Sequence, residues 1–463
     1  MQRRRLFALG IAIGAALLGC GGGGATGAAG HAGAGAGGAA GASTTGGAGA
    51  GAGGGTAGAG GSGASAGSRG GSGGTTGPGG NAAGGSAAGG MGGTIPFHPL
   101  DMNDVTILAP LPTSSATSVL LRGADVADDG TVFVPRVHFD RLAAAREFAG
   151  SSPVLNVAIY DRLHLIAVRF DLCDRHLPGV CPEAEDARLR LVFQPLFLDG
   201  AADDVGFHAF YTVRRDEITD AVAALRDLAM IAPPQTGALR VSPALSAANP
   251  EPYAAKVRAF VKRYGGEARM VRLTVNAQPQ IFSQVRWVLR GVEKRGDAFV
   301  DMPMVGASAT DISESVILSG DPGYDVMPVT DTPSGFLGAI NTNLFVAANA
   351  TKQRDYLAAL AAVENPMTHT AETVACVACH VTTVITSARA TRSSIDPLTL
   401  PERYTSRFDL STAAGKSATT PQTIRALGYV GRQPLISQRV VNDTAQTLAE
   451  IEQRYPPLAA LRR

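Results

Sequence analysis

The sequence predicts an α+β protein, with an antiparallel sheet-rich N-terminal part and a loop-rich, partly helical C-terminal part. Runs rich in Val, Ile, Leu and Phe with partial alternation cluster between residues 131 and 213, which is typical of strands. Two amphipathic helical patterns follow before strand-like runs return, and Gly, Pro and Asp become frequent beyond residue 300. Strands and helices that are segregated along the chain in this way indicate α+β organisation.

The strand predictions rest on apolar runs that are separated by turn-forming Gly, Pro and Asp residues. Neighbouring runs joined by such turns favour antiparallel pairing. The predicted strands cover residues 131–137, 154–160, 163–172, 189–198, 205–213, 270–276 and 284–292.

Two helices are expected within this sheet region. The first covers residues 216–230, where apolar side chains recur on one face. The second follows Asn249, a good N-cap residue, and Pro250, which suits a first helical turn. Gly265 is expected to end it, since glycine is the commonest residue just beyond a helix.

Beyond residue 300 only residues 315–318 and 336–346 look extended. Helical periodicity and capping residues predict three helices here. They are residues 351–363, stopped by Pro366, then a helix capped by Thr370 that runs towards Ile385, and a last one from Asn442 or Asp443 to Arg454.

Composition and charge limit the partners of the chain. Four Arg precede residue 94 and no acid does, so 36 Lys and Arg stand against 39 Asp and Glu in the remainder, a net charge of −3. A mildly acidic surface gives no electrostatic basis for nucleic-acid binding. The remainder is long enough for two domains, which we assign as residues 95–300 for the sheet and 301–463 for the loop-rich segment.

The first twenty residues have the features of an export signal. Arg3, Arg4 and Arg5 precede an apolar run that is too short to span a bilayer stably. The run ends in Leu17-Leu18-Gly19-Cys20, which resembles the lipobox of bacterial lipoproteins. That resemblance implies cleavage before Cys20, acylation of its thiol and a firm membrane anchor. Two or three acyl chains hold a protein stably at a membrane, whereas a single chain binds only marginally.

Residues 21–94 consist almost entirely of Gly, Ala, Ser and Thr, with Arg69 the single formal charge. Such a segment cannot bury enough apolar surface to offset the entropy of ordering, so a disordered tether is expected. Gly21 follows the lipobox cysteine where some inner-membrane lipoproteins carry Asp, so the resemblance favours the outer membrane over the inner. The face of that membrane is not encoded in these residues.

In an oxidising compartment each of the five cysteines has an expected role. Cys20 takes the lipid, Cys173 and Cys181 flank a Pro-Gly turn that a disulfide can staple, and Cys376 and Cys379 form a second pair. The second pair belongs to Cys376-Val-Ala-Cys379-His380, which resembles the haem-attachment site of c-type cytochromes. The resemblance covers five residues and implies one covalent haem c, bound through Cys376 and Cys379 with His380 as the proximal iron ligand.

Three other interpretations of the motif stay open: a structural disulfide with an incidental His, a thioredoxin-like redox pair, or a zinc site with His369 nearby. The chain also departs from the cytochrome pattern, because it has neither Met nor His beyond His380. A distal iron ligand must therefore come from upstream, where Met302, Met304, Met327, Met367 and His369 are candidates. Without one, a five-coordinate iron would bind oxygen, nitric oxide or peroxide, which suits a sensor or peroxidase.

The sequence as a whole predicts a lipid-anchored cell-envelope protein that carries one haem c for electron transfer. Its expected partners are a membrane and a redox protein. The alternative is a haem-free envelope binding or structural lipoprotein with two disulfides. No nucleophile elbow, His-Glu-x-x-His or phosphate loop occurs, so an electron carrier or binding protein is expected rather than an enzyme.

Overall fold

The structure is a computed structural model, and it describes residues 99–144, 157–172, 185–233, 236–277, 280–281, 284–303, 313–319, 321–324, 333–370, 373–415 and 425–456. Residues 90–463 form one compact unit. Within the described residues, ten strands form one antiparallel sheet, two more form a hairpin, and ten α-helices accompany them. The predicted α+β class is confirmed.

The large sheet is built from strands that lie on both sides of residue 300. Its strands are β1 (Thr106–Leu108), β2 (Leu163–Leu172), β3 (Glu185–Pro195), β4 (Val205–Arg214), β5 (Met270–Ala277), β6 (Gln280–Ile281), β7 (Gln284–Arg295), β8 (Ala298–Asp301), β9 (Ser313–Ser319) and β10 (Asp321–Tyr324). They run in the order β1-β2-β3-β4-β5-β7-β9-β10, with β6 and β8 also paired to β7. The separate hairpin is β11 (Leu427–Val430) with β12 (Gln433–Ile436).

The helices fall into an early group and a late group along the chain. The early ones are α1 (Met102–Val105), α2 (Arg136–Ala143), α3 (Val157–Asp161), α4 (Ile218–Ile231) and α5 (Glu251–Tyr264). The late ones are α6 (Pro333–Ile340), α7 (Thr342–Ala347), α8 (Ala350–Glu364), α9 (Cys376–Ser393) and α10 (Gln438–Arg454).

One face of the sheet is apolar and carries the larger hydrophobic core. Phe207 of β4 lies against Phe139 of α2 with ring centroids 5.3 Å apart, and Phe170 of β2 lies against Phe260 of α5 at 6.5 Å. Tyr211 is fully buried and donates its hydroxyl to the carbonyl of Phe133 at 2.6 Å. The early helices therefore cover this face.

A second hydrophobic cluster joins the late helices to β7. It contains the fully buried Trp287 together with residues of α6, α8 and α9. Leu357 and Leu360 of α8 contribute one side, and Val377 and Val381 of α9 contribute the other. This cluster packs α9 against the sheet, and Cys376 and Cys379 at the start of the helix also lie against it.

Three predicted strands are helices or turns in the structure. Residues 131–137 contain an isolated bridge and then the start of α2, for which Pro135 is the N-cap. The described part of 154–160 is the one-turn helix α3, and residues 336–346 belong to α6 and α7. Short apolar runs do not distinguish a buried helix from a strand by periodicity. For residues 336–346 the missed signal of a helix was Asn341, which caps α7 by accepting a hydrogen bond from Leu344 N at 3.0 Å.

The ends of two helices also differ from prediction. The motif helix begins at Cys376 rather than after Thr370, because Thr370 instead forms a local turn with Thr373, whose hydroxyl accepts from Thr370 N at 2.8 Å. The last helix begins at Gln438, one turn earlier than expected, because the hydroxyl of Ser437 caps it. The helix that ends at Gly265 has the predicted C-terminal boundary, but its N-cap is Pro250 rather than Asn249, and no side chain caps it.

Several predicted features lie outside the described residues. They are the signal peptide, the tether 21–94, and the cysteines Cys20, Cys173 and Cys181. In the part of the chain that the structure does describe, no helix combines the length and apolar character needed to cross a membrane.

Candidate functional site

The Cys-x-x-Cys-His motif forms the first turns of α9. Cys376 is the first helical residue, and the backbone N–H of Cys379 donates to the carbonyl of Ala375 at 3.0 Å. Val377 and Ala378 are buried in the second hydrophobic cluster, whereas Cys376, Cys379 and His380 are only partly buried. Cys376 and Cys379 also pack against that cluster, and helical spacing places them on the same side of α9 as His380.

That side of α9 meets the sheet at His208. The rings of His208 on β4 and His380 on α9 lie with centroids 6.0 Å apart and planes inclined by 71°. His208 occupies the middle of the sheet, paired with Val192 on β3 and Thr274 on β5. Two elements far apart in the sequence therefore place two imidazoles opposite each other.

The sheet face around His208 is basic and aromatic. Phe210, two residues along the same strand, lies between two guanidiniums, with Arg190 at 4.7 Å and Arg272 at 5.6 Å from its ring centroid. A Cβ on Gly206 would lie 2.6 Å from Arg425 Nη1, so the Arg425 guanidinium rests directly on the strand backbone beside His208. Glycine is required there because a side chain would displace this arginine.

A buried ion network continues this face towards α10. Arg169 Nε lies 2.5 Å from Asp171 Oδ1, and Arg169 Nη2 lies 3.2 Å from Asp443 Oδ2. Arg190 Nη2 reaches Asp171 Oδ2 at 3.3 Å, and Arg439 Nε reaches Asp443 Oδ1 at 2.9 Å. Three cations face two anions, so the network carries a net charge of about +1 in a region where charges are stable only when paired.

The network sets the ionisation of its members and reaches the motif. Burial alone would raise the pKa of Asp443, but Arg439, Arg169 and Arg190 outweigh it and hold that pKa below its ordinary value. Burial raises the pKa of the Cys379 thiol, which lies close enough to Arg439 and Asp443 to feel their charges. The cysteine motif is therefore adjacent to the network.

The same surroundings act on His208. Burial lowers the pKa of His208 well below its usual value, and the neighbouring His380 and the guanidiniums of Arg190 and Arg425 lower it further. His208 is therefore a neutral imidazole at physiological pH.

The structure brings together the three motif residues that the sequence singled out. Cys376, Cys379 and His380 share one side of α9, and neither cysteine takes part in a disulfide among the described residues. Three of the predicted site residues, Cys20, Cys173 and Cys181, cannot be located in the described part of the chain.

The upstream candidates for a distal ligand are spread over the molecule. Met302 is buried beside β7, where a Cβ on Gly291 would lie 3.2 Å from its methyl carbon. Met367 is 44% exposed, and His369 is buried one loop before the motif, with its carbonyl accepting from Arg439 at 2.5 Å. Met304 and Met327 lie outside the described residues.

The arginines that follow the motif in sequence have other roles. Arg389 is buried and donates to the carbonyls of Ala339 and Ile340 at 2.7 and 2.9 Å, which ties α9 to α6. Arg407 pairs with Glu452, and Arg403 lines a cavity of about 650 Å³ between α8, α9 and α10. The basic groups beside the motif come instead from the sheet and from α10.

Sequence reasoning missed His208 and the arginines of the sheet. The signal was present as period-two alternation, since Arg188 and Arg190 alternate with leucines on β3, and His208 lies in an otherwise apolar β4. Alternation identifies a polar face but not what covers it. Here the late helices cover it, which converts an apparently solvent-facing strip into a buried site.

The donor set fits a covalent haem. Haem supplies four equatorial nitrogens of its own, so the chain has to provide two attachment thiols and an axial ligand. Cys376, Cys379 and His380 would supply these groups, and Arg190 and Arg425, which already pair with Asp171 and Asp204, would add positive charge beside the propionates. Within the described ranges, no three His, Cys, Asp or Glu side chains are grouped to hold a metal ion by themselves.

Comparisons of this chain with protein-family models, with curated proteins and with solved structures find no match.

Proposed function

We propose that this chain is a lipid-anchored, mono-haem c-type cytochrome that transfers electrons in the cell envelope. The observation that carries the proposal is the position of Cys376, Cys379 and His380 on the first turns of α9, where the ring of His380 lies against His208 of the sheet. Attachment thiols and an imidazole on one side of a helix can reach the same porphyrin, and the sheet offers counter-charges for its carboxylates.

Attachment requires no leaving group. Each thiol would add across one vinyl double bond of the haem, with formation of a sulfur–carbon bond and transfer of the thiol proton to the other vinyl carbon. Cys376 and Cys379 are three residues apart at the start of a helix, which places their sulfurs about one turn from each other on one side. Neither takes part in a disulfide among the described residues.

The residues around the motif have separate tasks in this proposal. His380 would bind the iron on the side of α9, while Val377 and Val381 anchor the helix in the second hydrophobic cluster. Arg190 and Arg425 would contribute positive charge near the propionates. Bound haem would supply one-electron chemistry, its iron alternating between ferrous and ferric states as a partner redox protein gives or takes one electron.

The ion network holds the surrounding elements in place. Arg439 donates to the carbonyl of Val363 at 2.7 Å and pairs with Asp443, which in turn binds Arg169 of β2. These bonds fix α10 against both the sheet and the loop before the motif. A rigid surrounding of this kind keeps water out and limits reorganisation when the charge on a bound iron changes.

The anchor is part of the proposal and rests on residues 1–20. Cys20 would carry the acyl chains, and the tether 21–94 would let the folded unit reach partners near an outer membrane. Replacement Cys20→Ala should abolish labelling by radioactive palmitate and move the protein from the membrane fraction to the soluble fraction. Labelling that persists in this variant would contradict acylation at Cys20.

The haem is tested by a pyridine haemochrome assay on the full chain, produced together with a c-type cytochrome maturation system. Wild type should give a covalent haem signal of one haem per chain, and the double variant Cys376→Ala/Cys379→Ala should give none. A single Cys173→Ala variant is the matched control, since it removes a thiol far from the motif in sequence and should retain the haem. Absence of haem in wild type would contradict the proposal and favour a haem-free envelope lipoprotein.

A further inference from the structure

The two imidazoles at the site have the spacing of two axial ligands to one metal. Each metal–nitrogen bond is about 2 Å and each ring adds about 1 Å from nitrogen to centroid, so two ligands to one ion have centroids about 6 Å apart. The centroids of His208 and His380 are 6.0 Å apart. Two imidazoles that bind one ion can be inclined to each other at any angle, and the planes of these two rings are inclined by 71° in an edge-to-face contact.

His208 is also held where a ligand should be held. It lies on β4, which is hydrogen-bonded to β3 on one side and to β5 on the other. Its cross-strand neighbours are Val192 and Thr274. A ligand in the interior of a sheet is fixed more tightly than one on a loop, so this imidazole keeps its position opposite α9.

The other described candidate on this face is farther away. A Cβ on Gly291 would lie 2.9 Å from Thr274 Cγ2 and 3.2 Å from Met302 Cε, so the Met302 methyl lies over β7. Thr274 pairs with His208 on the next strand. Because neighbouring strands are about 4.8 Å apart, Met302 is displaced from His208 by roughly 10 Å across the sheet.

We infer that His208 is the second axial ligand of the haem iron, so that the iron is held between an imidazole of the helix and an imidazole of the sheet. The inference rests on the proposed haem. It makes the iron six-coordinate in both oxidation states, with both axial positions filled by the protein. Such a site carries electrons and excludes oxygen, nitric oxide and peroxide, in contrast to the five-coordinate sensor or peroxidase that the sequence alone allowed.

Spectroscopy of the wild-type holoprotein gives the first test. Near-infrared magnetic circular dichroism of the ferric form should show a charge-transfer band characteristic of two nitrogen ligands, without the band of a methionine ligand. Crossed imidazole planes leave the two iron π-orbitals nearly equal in energy, so the low-spin electron paramagnetic resonance signal should be strongly anisotropic. A high-spin ferric signal, or a methionine band, would overturn the assignment of His208.

Substitution of the ligand gives the second test. His208→Ala should retain the covalent haem, become high-spin, and bind carbon monoxide in the ferrous form at least 100-fold faster than wild type, because the distal position is open. Added imidazole should restore the low-spin spectrum. His208→Met, which keeps a side chain able to bind iron, is the second variant and should stay low-spin but gain the methionine band.

Two controls separate the outcomes. Met302→Leu should leave the spectrum unchanged, and so should His138→Ala, which removes a largely buried histidine of α2. A low-spin spectrum that persists in His208→Ala and is lost in Met302→Leu would overturn the inference while leaving the cytochrome intact. Failure of the proposed function itself is recognised separately, by a wild-type protein without covalent haem in the pyridine assay.

Discussion

Side chains along the strands alternate between the two faces of the central sheet, but the two faces carry different types of residue. On one face Phe170, Phe207 and Tyr211 pack against the early helices and form an ordinary apolar core. On the other, arginines and a histidine lie beneath α9 and α10. Both faces are covered, so the polar face differs from the usual solvated side of an antiparallel sheet.

The difference teaches how a site can be built on a sheet. Burying basic side chains costs free energy unless they are paired, and here Asp171 and Asp443 pair with three guanidiniums. The remaining positive charge and the two opposed imidazoles are what an anionic, metal-bearing group requires. Stability should therefore depend mostly on the apolar face, and cofactor properties on the basic one.

The largest effect on stability is expected on the apolar face. Phe207→Ala removes a fully buried ring in contact with Phe139 and should lower the free energy of unfolding by about 4 kcal/mol. Denaturant titration measures the loss. Leu198→Ala, which shortens a side chain that is 85% exposed just after β3, is the control and should change stability by less than about 0.5 kcal/mol.

A somewhat smaller loss is expected from the ion network. Asp443→Asn leaves Arg169 and Arg439 buried with half of their counter-charge and should cost about 3 kcal/mol at neutral pH. The control Asp355→Asn, in an exposed pair with Lys352 at 3.6 Å, should cost less than about 0.5 kcal/mol. Equal losses in the two variants would show that burial of the network contributes nothing.

The pH dependence of the Asp443 effect has a definite sign. The folded pKa of Asp443 is below its ordinary value of 3.8, so its contribution is complete above that value. It should disappear as the pH falls below 3.8 and through the lowered folded pKa. Unfolding curves of wild type and Asp443→Asn should therefore converge in acid, and a constant difference down to low pH would contradict the assigned ion pairs.

An ion pair remote from the basic face provides a comparison of intermediate size. The carboxylate of Glu217 accepts from both terminal nitrogens of Arg269 at 2.7 and 2.8 Å, which lowers its pKa from 4.5 to about 2. After a discount for partial solvation, Glu217→Gln should cost about 1–2 kcal/mol above pH 4.5, and this cost should shrink as the pH falls from 4.5 towards 2. The haem spectrum should not change, and a spectral change would show that the two regions are coupled.

The smallest effect is expected on the redox potential. Arg190 contributes positive charge near both imidazoles, and positive charge favours the ferrous state. Arg190→Gln should lower the midpoint potential by about 30 mV, equivalent to about 0.7 kcal/mol for one electron. Potentiometric titration checks this against Arg392→Gln, an exposed arginine in the last turn of α9 that should leave the potential unchanged.

The fold was predictable where patterns were long. Strands β2 to β5 and helices α4 and α5 follow from alternation, helical periodicity and the C-cap Gly265, whereas the predicted cap Asn249 is replaced by Pro250. The run 336–346 was assigned wrongly because its apolar residues suit a buried helix as well as a strand. The predicted position of the last helix was late by one turn because Ser437, rather than Asn442 or Asp443, supplies the cap.

Only the part of the candidate site that is contiguous in sequence could be predicted. Cys376, Cys379 and His380 are recognisable because five adjacent residues carry the pattern. His208 lies 172 positions before His380, and no local signal links a histidine on a strand to a helix so far along the chain. The sheet register and the covering helices create that contact, and both depend on tertiary packing.

The most direct test of the central claim is mass spectrometry of the tryptic peptide 355–389, which contains both motif cysteines and no internal cleavage site. In the holoprotein this peptide should carry the mass of one intact haem and should contain no thiol that reacts with an alkylating reagent. A peptide without the added mass of haem would contradict the assignment of Cys376, Cys379 and His380 as a haem site. Its two cysteines would then react with the alkylating reagent, either directly or only after a disulfide between them has been reduced.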